Sequence, residues 1–310
     1  SMYARCAIKI KSEFIIENRE LVAYKGNGGH VVIPDDKGIL YIGSFAFCHY
    51  NLDNSKDVGD GKYDIDLKKE PIGNNNVVTV EIPEGVEEIR KFAFYNSKLL
   101  ERVILPSTLK TIEERAFYDC KILTNINLDN VKIISDYTFY NNKLLNCNDL
   151  GGINLEGVNV IGRHAFDGCE SLTNINLTDL RRSGMAAFAN CTRLTDVVLG
   201  RYARISDSMF ENSAISSSTS KPLEIYSDVI PDKAFYHCER LQAVTLRSDV
   251  TYLGNEAFRG CINLTRVLFE GDCEQFGSYA FADCTGLKNM TLPSCRIVFG
   301  DGVYANSGLN

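Results

Sequence analysis

IPEGVEEIRKFAFYNSKLLERVILP (residues 82–106) and TLKTIEERAFYDCKILTNINL (108–128) carry one phrase twice, and VTYLGNEAFRGCINLTRVLF (250–269) carries it again. At its centre is Ala-Phe. The pair recurs at Ala46-Phe47, Ala93-Phe94, Ala116-Phe117, Ala165-Phe166, Ala187-Phe188, Ala234-Phe235, Ala257-Phe258 and Ala280-Phe281. Thr138-Phe139, Met209-Phe210 and Val303-Tyr304 keep the same register. From Phe94 onward the spacings are 23, 22, 27, 22, 22, 25, 23, 23 and 23 residues. A fixed short period of this kind marks a stack of supersecondary units.

The units align with one another, so their columns can be read. Five residues before the Phe stands an apolar residue, from Ile42 and Ile89 to Phe276 and Phe299, with Ser183 the exception. Six residues after the Phe comes Leu100, Leu123, Leu145, Leu172, Leu194, Leu241, Leu264 or Leu287. Val103 and Leu105, Ile175 and Leu177, and Val244 and Leu246 then alternate with more polar neighbours, the period of a short strand with one buried face. No unit can bury its apolar face alone, whereas stacking buries the columns continuously. The expected fold is a β-rich solenoid of about 10–11 repeats, with the Phe column as its spine. The domain reading is an N-terminal hairpin cap at 1–34 and a solenoid at 35–310, with 51–76 a loop or degenerate repeat.

Composition agrees. The chain has 310 residues, 45% of them hydrophobic and 24% charged, which suits a globular array and excludes disorder. Net charge is −7, which argues against nucleic acid as a partner. No run approaches the length of a membrane span, so no membrane insertion is expected. The opening SMYARCAIKIKSEF lacks a signal-peptide apolar core. Ser1 reads as the remnant of a tag, which leaves room for a leader upstream.

The chemistry-bearing residues read as structural. Three residues after the Phe stand Cys120, Cys169, Cys191, Cys238, Cys261 and Cys284, with Ser or Asn at most other repeats. A metal or disulfide column would not accept Ser and Asn, but an inward ladder satisfying turn carbonyls would. Two residues after the Phe stand Asn96, Asp119, Asn141, Gly168, Asn190, His237 and Gly260, the types that tolerate positive φ, so this column is a turn. That accounts for His49 and His237; His164, in a different column, is expected to be exposed. Gly26-Asn27-Gly28-Gly29 reads as a hairpin turn. Asp53, Asp57, Asp60, Asp64 and Asp66 do not have the spacing of a calcium loop. No cofactor, metal or nucleophile–base–orienter set emerges, so the chain reads as non-enzymatic.

The whole pattern resembles the BspA-like class of leucine-rich repeats over about residues 31–310. The resemblance implies strands lining a concave sheet and Ala-Phe segments on the convex side. It also implies a bacterial cell-surface or secreted protein that binds a partner, such as a host surface or matrix protein. The cysteine content leaves a cytoplasmic location open. Two surfaces are candidates. One is the polar row between buried strand positions: Arg102, Asn125, Asn127, Asn154, Asn174, Asn176, Asp196, Arg266 and Asn289. Asparagine is a poor strand former, so its recurrence here needs a reason, either a row of amides for a partner or a soluble sheet surface. The other is the stack Tyr95, Tyr118 and Tyr140, since tyrosine is enriched in binding hot spots. A carbohydrate-binding module using the Asn row and a structural spacer are the alternatives to a protein-binding module.

Overall fold

The computed structural model describes residues 13–49, 72–73, 76–145 and 153–309. Cys6, Cys147, the insertion at 146–152, the aspartates at 53–66 and most of the 51–76 stretch lie outside them, as do the side chains of His49 and Asn125. The described chain is a right-through stack of repeats, each passing through three walls.

The first wall is built from the strands anticipated after each Leu column. Gly29–Val32, Val77–Glu81, Arg102–Ile104 and Asn125–Ile126 form one parallel sheet. Asn174–Leu177 pairs with Asp196–Leu199, and Leu223–Ile225, Ala243–Leu246 and Arg266–Phe269 continue the wall. Register follows the columns: Ile175 faces Val197 and Leu177 faces Leu199. A one-residue slip would expose every apolar residue, which is why the pairing is fixed.

The second wall was visible in the sequence only as an apolar column. Its strands have two residues each, among them Tyr41–Ile42, Glu88–Ile89, Thr111–Ile112, Ile133–Ile134, Val160–Ile161 and Arg182–Ser183. Val229–Ile230, Tyr252–Leu253, Gln275–Phe276 and Val298–Phe299 form a second such sheet. Phe14–Glu17 and Glu20–Tyr24 form an antiparallel hairpin, and Glu20–Tyr24 also pairs in parallel with Tyr41–Ile42. The hairpin turn is Asn18-Arg19, both at positive φ. The turn expected at Gly26–Gly29 is instead a corner. Glu20–Tyr24 belongs to the short-strand wall and Gly29–Val32 to the long-strand wall, and the two do not pair.

The third wall carries the Ala-Phe segments, and it is neither helix nor sheet. The Phe N–H donates forward to the residue before the next Phe: Phe94 to Ala116 O at 2.8 Å, Phe166 to Ala187 O at 2.8 Å, Phe258 to Ala280 O at 2.9 Å. The residues two before and two after do the same, as with Phe92 to Glu114 O and Asn96 to Tyr118 O. The column after the Phe has positive φ as expected (Asn96, Asp119, Asn141, Asn190, His237). So does the column before it, which nothing in its residue types announced: Phe92, Arg115, Tyr137, His164, Ala186, Lys233, Glu256 and Tyr279 have φ between 54° and 60° or close to it.

The rings form an unbroken spine. Centroids are 4.5 Å apart for Phe47 and Phe94, 5.0 Å for Phe94 and Phe117, 5.2 Å for Phe139 and Phe166, and 5.4 Å for Phe258 and Phe281. All are buried. The 27-residue spacing between Phe139 and Phe166 leaves the stack intact. Beside the spine, each ladder thiol donates to the Phe carbonyl of an earlier repeat. Cys120 reaches Phe94 O at 3.1 Å, Cys238 reaches Phe210 O at 3.1 Å and Cys261 reaches Phe235 O at 3.2 Å. Ser213 takes the same place with a bond to Phe188 O at 3.3 Å.

Candidate interaction surfaces

The long-strand wall turns alternate residues outward. Over its first sheet no described residue covers them: Val32 is 54% exposed, Ile104 is 38% exposed, and Arg102 and Asn127 are exposed between them. Val198 is 55% exposed further along. At Ala243–Leu246 the face closes, with Ala243 and Thr245 both buried. The reason is the insertion near 213–222. Ser217 accepts the Gln242 and Ala243 N–H groups and donates to Ala243 O, and Arg266 reaches Thr219 O.

The asparagine row has a local role. Asn127 Oδ1 accepts the Asp129 N–H at 3.0 Å, Asn154 Oδ1 accepts the Glu156 N–H at 2.9 Å, and Asn176 Oδ1 accepts the Thr178 N–H at 3.1 Å. Each closes an Asx turn two residues on, the geometry in which asparagine outperforms other residues. Asn154 also donates to Asp129 Oδ1, bridging two repeats. The strand-forming penalty is therefore met at the strand end, where the chain must turn. Asn174, half-buried, and Asp196, exposed, lie on strands of the same wall, whereas Asn289 is exposed in a segment that forms no strand. Asp196 accepts the Thr195 hydroxyl.

The tyrosines stack: Tyr95 on Tyr118 at 5.0 Å and Tyr118 on Tyr140 at 4.9 Å. Tyr95 is buried and the other two are half-buried. Because rings stacked along the axis hide their faces against one another, they offer edges outward. A sugar ring needs an aromatic face, so this ladder is a poor glycan platform. A second stack runs beside it in the column that precedes the Phe: Phe45 on Phe92 at 4.9 Å, Arg115 over Tyr137 at 4.8 Å, and Tyr137 on His164 at 4.9 Å. His164, expected to be exposed, has only 22% of its side chain exposed and pairs with Asp167 at 2.8 Å. Its column did not reveal that the ring is covered by Tyr137 on one side and tied to Asp167 within its own turn.

The thiols are chemically quiet. Burial pushes Cys120 and Cys284 up to about 12, and raises Cys169, Cys191, Cys238 and Cys261 as well. A protonated, enclosed thiol is neither nucleophile nor metal ligand. Among the described residues no group of three or more His, Cys, Asp or Glu converges as a metal site.

Six copies of the BspA type leucine rich repeat region match the sequence, over residues 72–150, 141–229 and 205–310. The chain belongs to the BspA type leucine rich repeat family. No curated protein matches it in sequence. Among solved structures, the pneumococcal vaccine antigen PcpA is 19% identical with a TM-score of 0.54, the match covering 94% of this chain and 73% of that one. A leucine rich cell surface protein from Faecalibacterium prausnitzii is 22% identical with a TM-score of 0.47, covering 94% and 83%. A leucine-rich repeat protein from Bacteroides ovatus is 21% identical with a TM-score of 0.41, covering 96% and 91%. The likeness to PcpA supports the BspA-type fold, and the three walls show how this chain builds it. Proteins of this repeat type generally serve protein interaction.

Proposed function

We propose that this BspA-type protein is a non-catalytic module, displayed at a bacterial surface, that binds a protein partner through the outward face of its long-strand wall. The observation that carries the reading is the uncovered sheet face at Val32, Arg102 and Ile104, in a wall where the same positions are closed over at Ala243 and Thr245. A face that mixes exposed aliphatic groups with arginine has the composition of an interface core and rim. Arg102, Asn125, Asn127, Asn154, Asn174, Asn176, Asp196, Arg266 and Asn289 are the proposed contact row. Family membership supports the surface location. The glycan reading is weaker, because three of the amides spend their oxygens on the protein's own turns.

The test is site-specific photo-crosslinking. A photoreactive residue at 104 or 198 should trap one protein from host-surface extracts, and the same residue at 298, at the far end of the short-strand wall, should not. Equal trapping from 298, or trapping only from 298, would refute the assignment of the face.

A further inference from the structure

From residue 144 to residue 220 the chain has six arginines (163, 181, 182, 193, 201 and 204) and no lysine, although the whole chain carries 33 Lys and Arg together. Four of them converge on the short-strand wall. Arg182 and Arg204 occupy the same register position in consecutive repeats, linked by the Ser183 hydroxyl donating to Arg204 O at 2.7 Å. Arg182 stands opposite Val160, three residues before Arg163. A Cβ on Gly184 would meet the Arg163 backbone at 2.2 Å, so these two chains run in close contact. Arg181 lies over the Tyr202 ring at 4.8 Å. All four arginines are exposed, and so are Tyr202 at 64% and Met185 at 38%.

Some arginines elsewhere find a carboxylate, Arg90 with Glu20, Arg247 with Glu224 and Glu270, and Arg259 with Glu256 and Asp283, while others such as Arg102, Arg240 and Arg296 stand singly without one among the described residues. Among the described residues none of Arg163, Arg181, Arg182 and Arg204 has an ion-pair partner. Asp179, on the same stretch, accepts the Gly157 N–H. Asp136 accepts the Arg163 N–H at 2.8 Å. The four guanidinium groups, clustered on consecutive repeats and free of ion pairs among the described residues, are planar forks that match carboxylates two bonds at a time.

We propose that this face docks an acidic, extended segment of a partner protein. The proposal rests on the partner-binding reading and adds a second contact on a different wall. Arginine, tyrosine and methionine together are the residues enriched at protein interfaces, and exposed Tyr202 and Met185 give the occupant's apolar side chains somewhere to rest. A face built only for a polyanionic chain would use arginine and lysine alike and has no need of a bared methionine.

The probe is a fluorescein-labelled peptide of about twelve residues alternating Asp or Glu with Leu and Ser, followed by anisotropy with the full chain. The double variant Arg182→Gln/Arg204→Gln should weaken binding roughly tenfold or more, which is about 1.4 kcal/mol or more. Arg240→Gln/Arg296→Gln, on other surfaces, should stay within about twofold, and both variants should keep the wild-type circular dichroism and melting curve. Unchanged affinity in the first variant overturns the proposal. So does tighter, variant-sensitive binding of a heparin fragment or an oligothymidylate than of the peptide, which would assign the face to a polyanion. If wild type ignores the peptide while crosslinking from position 104 still traps a partner, the arginine proposal fails alone and the partner-binding reading stands.

Discussion

Asn142→Cys should stabilise the protein, which is uncommon for a substitution in a buried site. Asn142 occupies the cysteine column, three residues after Phe139, and is fully buried. Neither its Nδ2 nor its Oδ1 has a hydrogen-bond partner. On either side of it, Cys120 donates to Phe94 O at 3.1 Å and Cys169 to Phe139 O at 3.2 Å. A buried polar group left unmet costs about 1–3 kcal/mol, and the amide has two. The thiol is close in volume, adds one weak donor aimed where its neighbours aim theirs, and removes both orphans. Allowing for partial burial in the unfolded chain, a gain of about 2 kcal/mol is expected. Urea unfolding followed by far-ultraviolet circular dichroism would show a higher midpoint with an unchanged slope. Asn142→Ser should gain less, since serine donates in this column at Ser213 but Ser97 finds no partner. A midpoint that stays level or falls for Asn142→Cys refutes the idea that the column selects groups that donate to the Phe carbonyls.

Phe117→Ala should cost about 3–5 kcal/mol, because it empties a site stacked at 5.0 and 5.4 Å on both sides; a loss under about 1 kcal/mol in denaturant melts would contradict a packed spine. Stability should fall steeply with alkali. The thiols titrate near 8.5 when unfolded but higher when folded, up to about 12 for Cys120 and Cys284, so their contribution is complete below about pH 8.5 and is lost as pH rises toward 12. Each thiol removes roughly 1.4 kcal/mol per pH unit across that window, and Cys238→Ser should flatten the pH profile by about one such step, read from urea midpoints at pH 8, 9 and 10. Ala186→Val should destabilise by about 2 kcal/mol or more in thermal melts while Ala186→Gly should not, because φ at this position is 56°.

The sequence made the repeat legible because the residues that matter are apolar and evenly spaced. Phe47 to Phe281 and the Ile and Leu columns could be read from periodicity, and Asn96 to His237 from the residue types that accept positive φ. The matching turn column in front of the Phe could not. Phe92, Arg115, Ala186 and Lys233 share no backbone preference, and their conformation is imposed by forward N–H bonds to the next repeat. The asparagines were conspicuous for a reason that lies two residues away, in the turns they close at Asp129, Glu156 and Thr178. The arginine face is not legible in the sequence because Arg182, Arg204 and Arg163 are neighbours only once three repeats are stacked, and the acids interspersed along the same stretch mask the cluster.

The forward bonds of the Ala-Phe wall have an electrical consequence. In the parallel sheets, peptide dipoles alternate and nearly cancel. In the Ala-Phe wall, three N–H groups per repeat point the same way, from Phe92, Phe94 and Asn96 through to Tyr279, Phe281 and Asp283. Peptide dipoles of about 3.5 D each then add along the solenoid axis instead of around it. The wall carries a macrodipole whose positive pole lies toward higher residue numbers, the reverse of an α-helix. Each duplicated repeat moves the two poles further apart, so that carboxylates are favoured at the pole of higher residue number and cations at the opposite one.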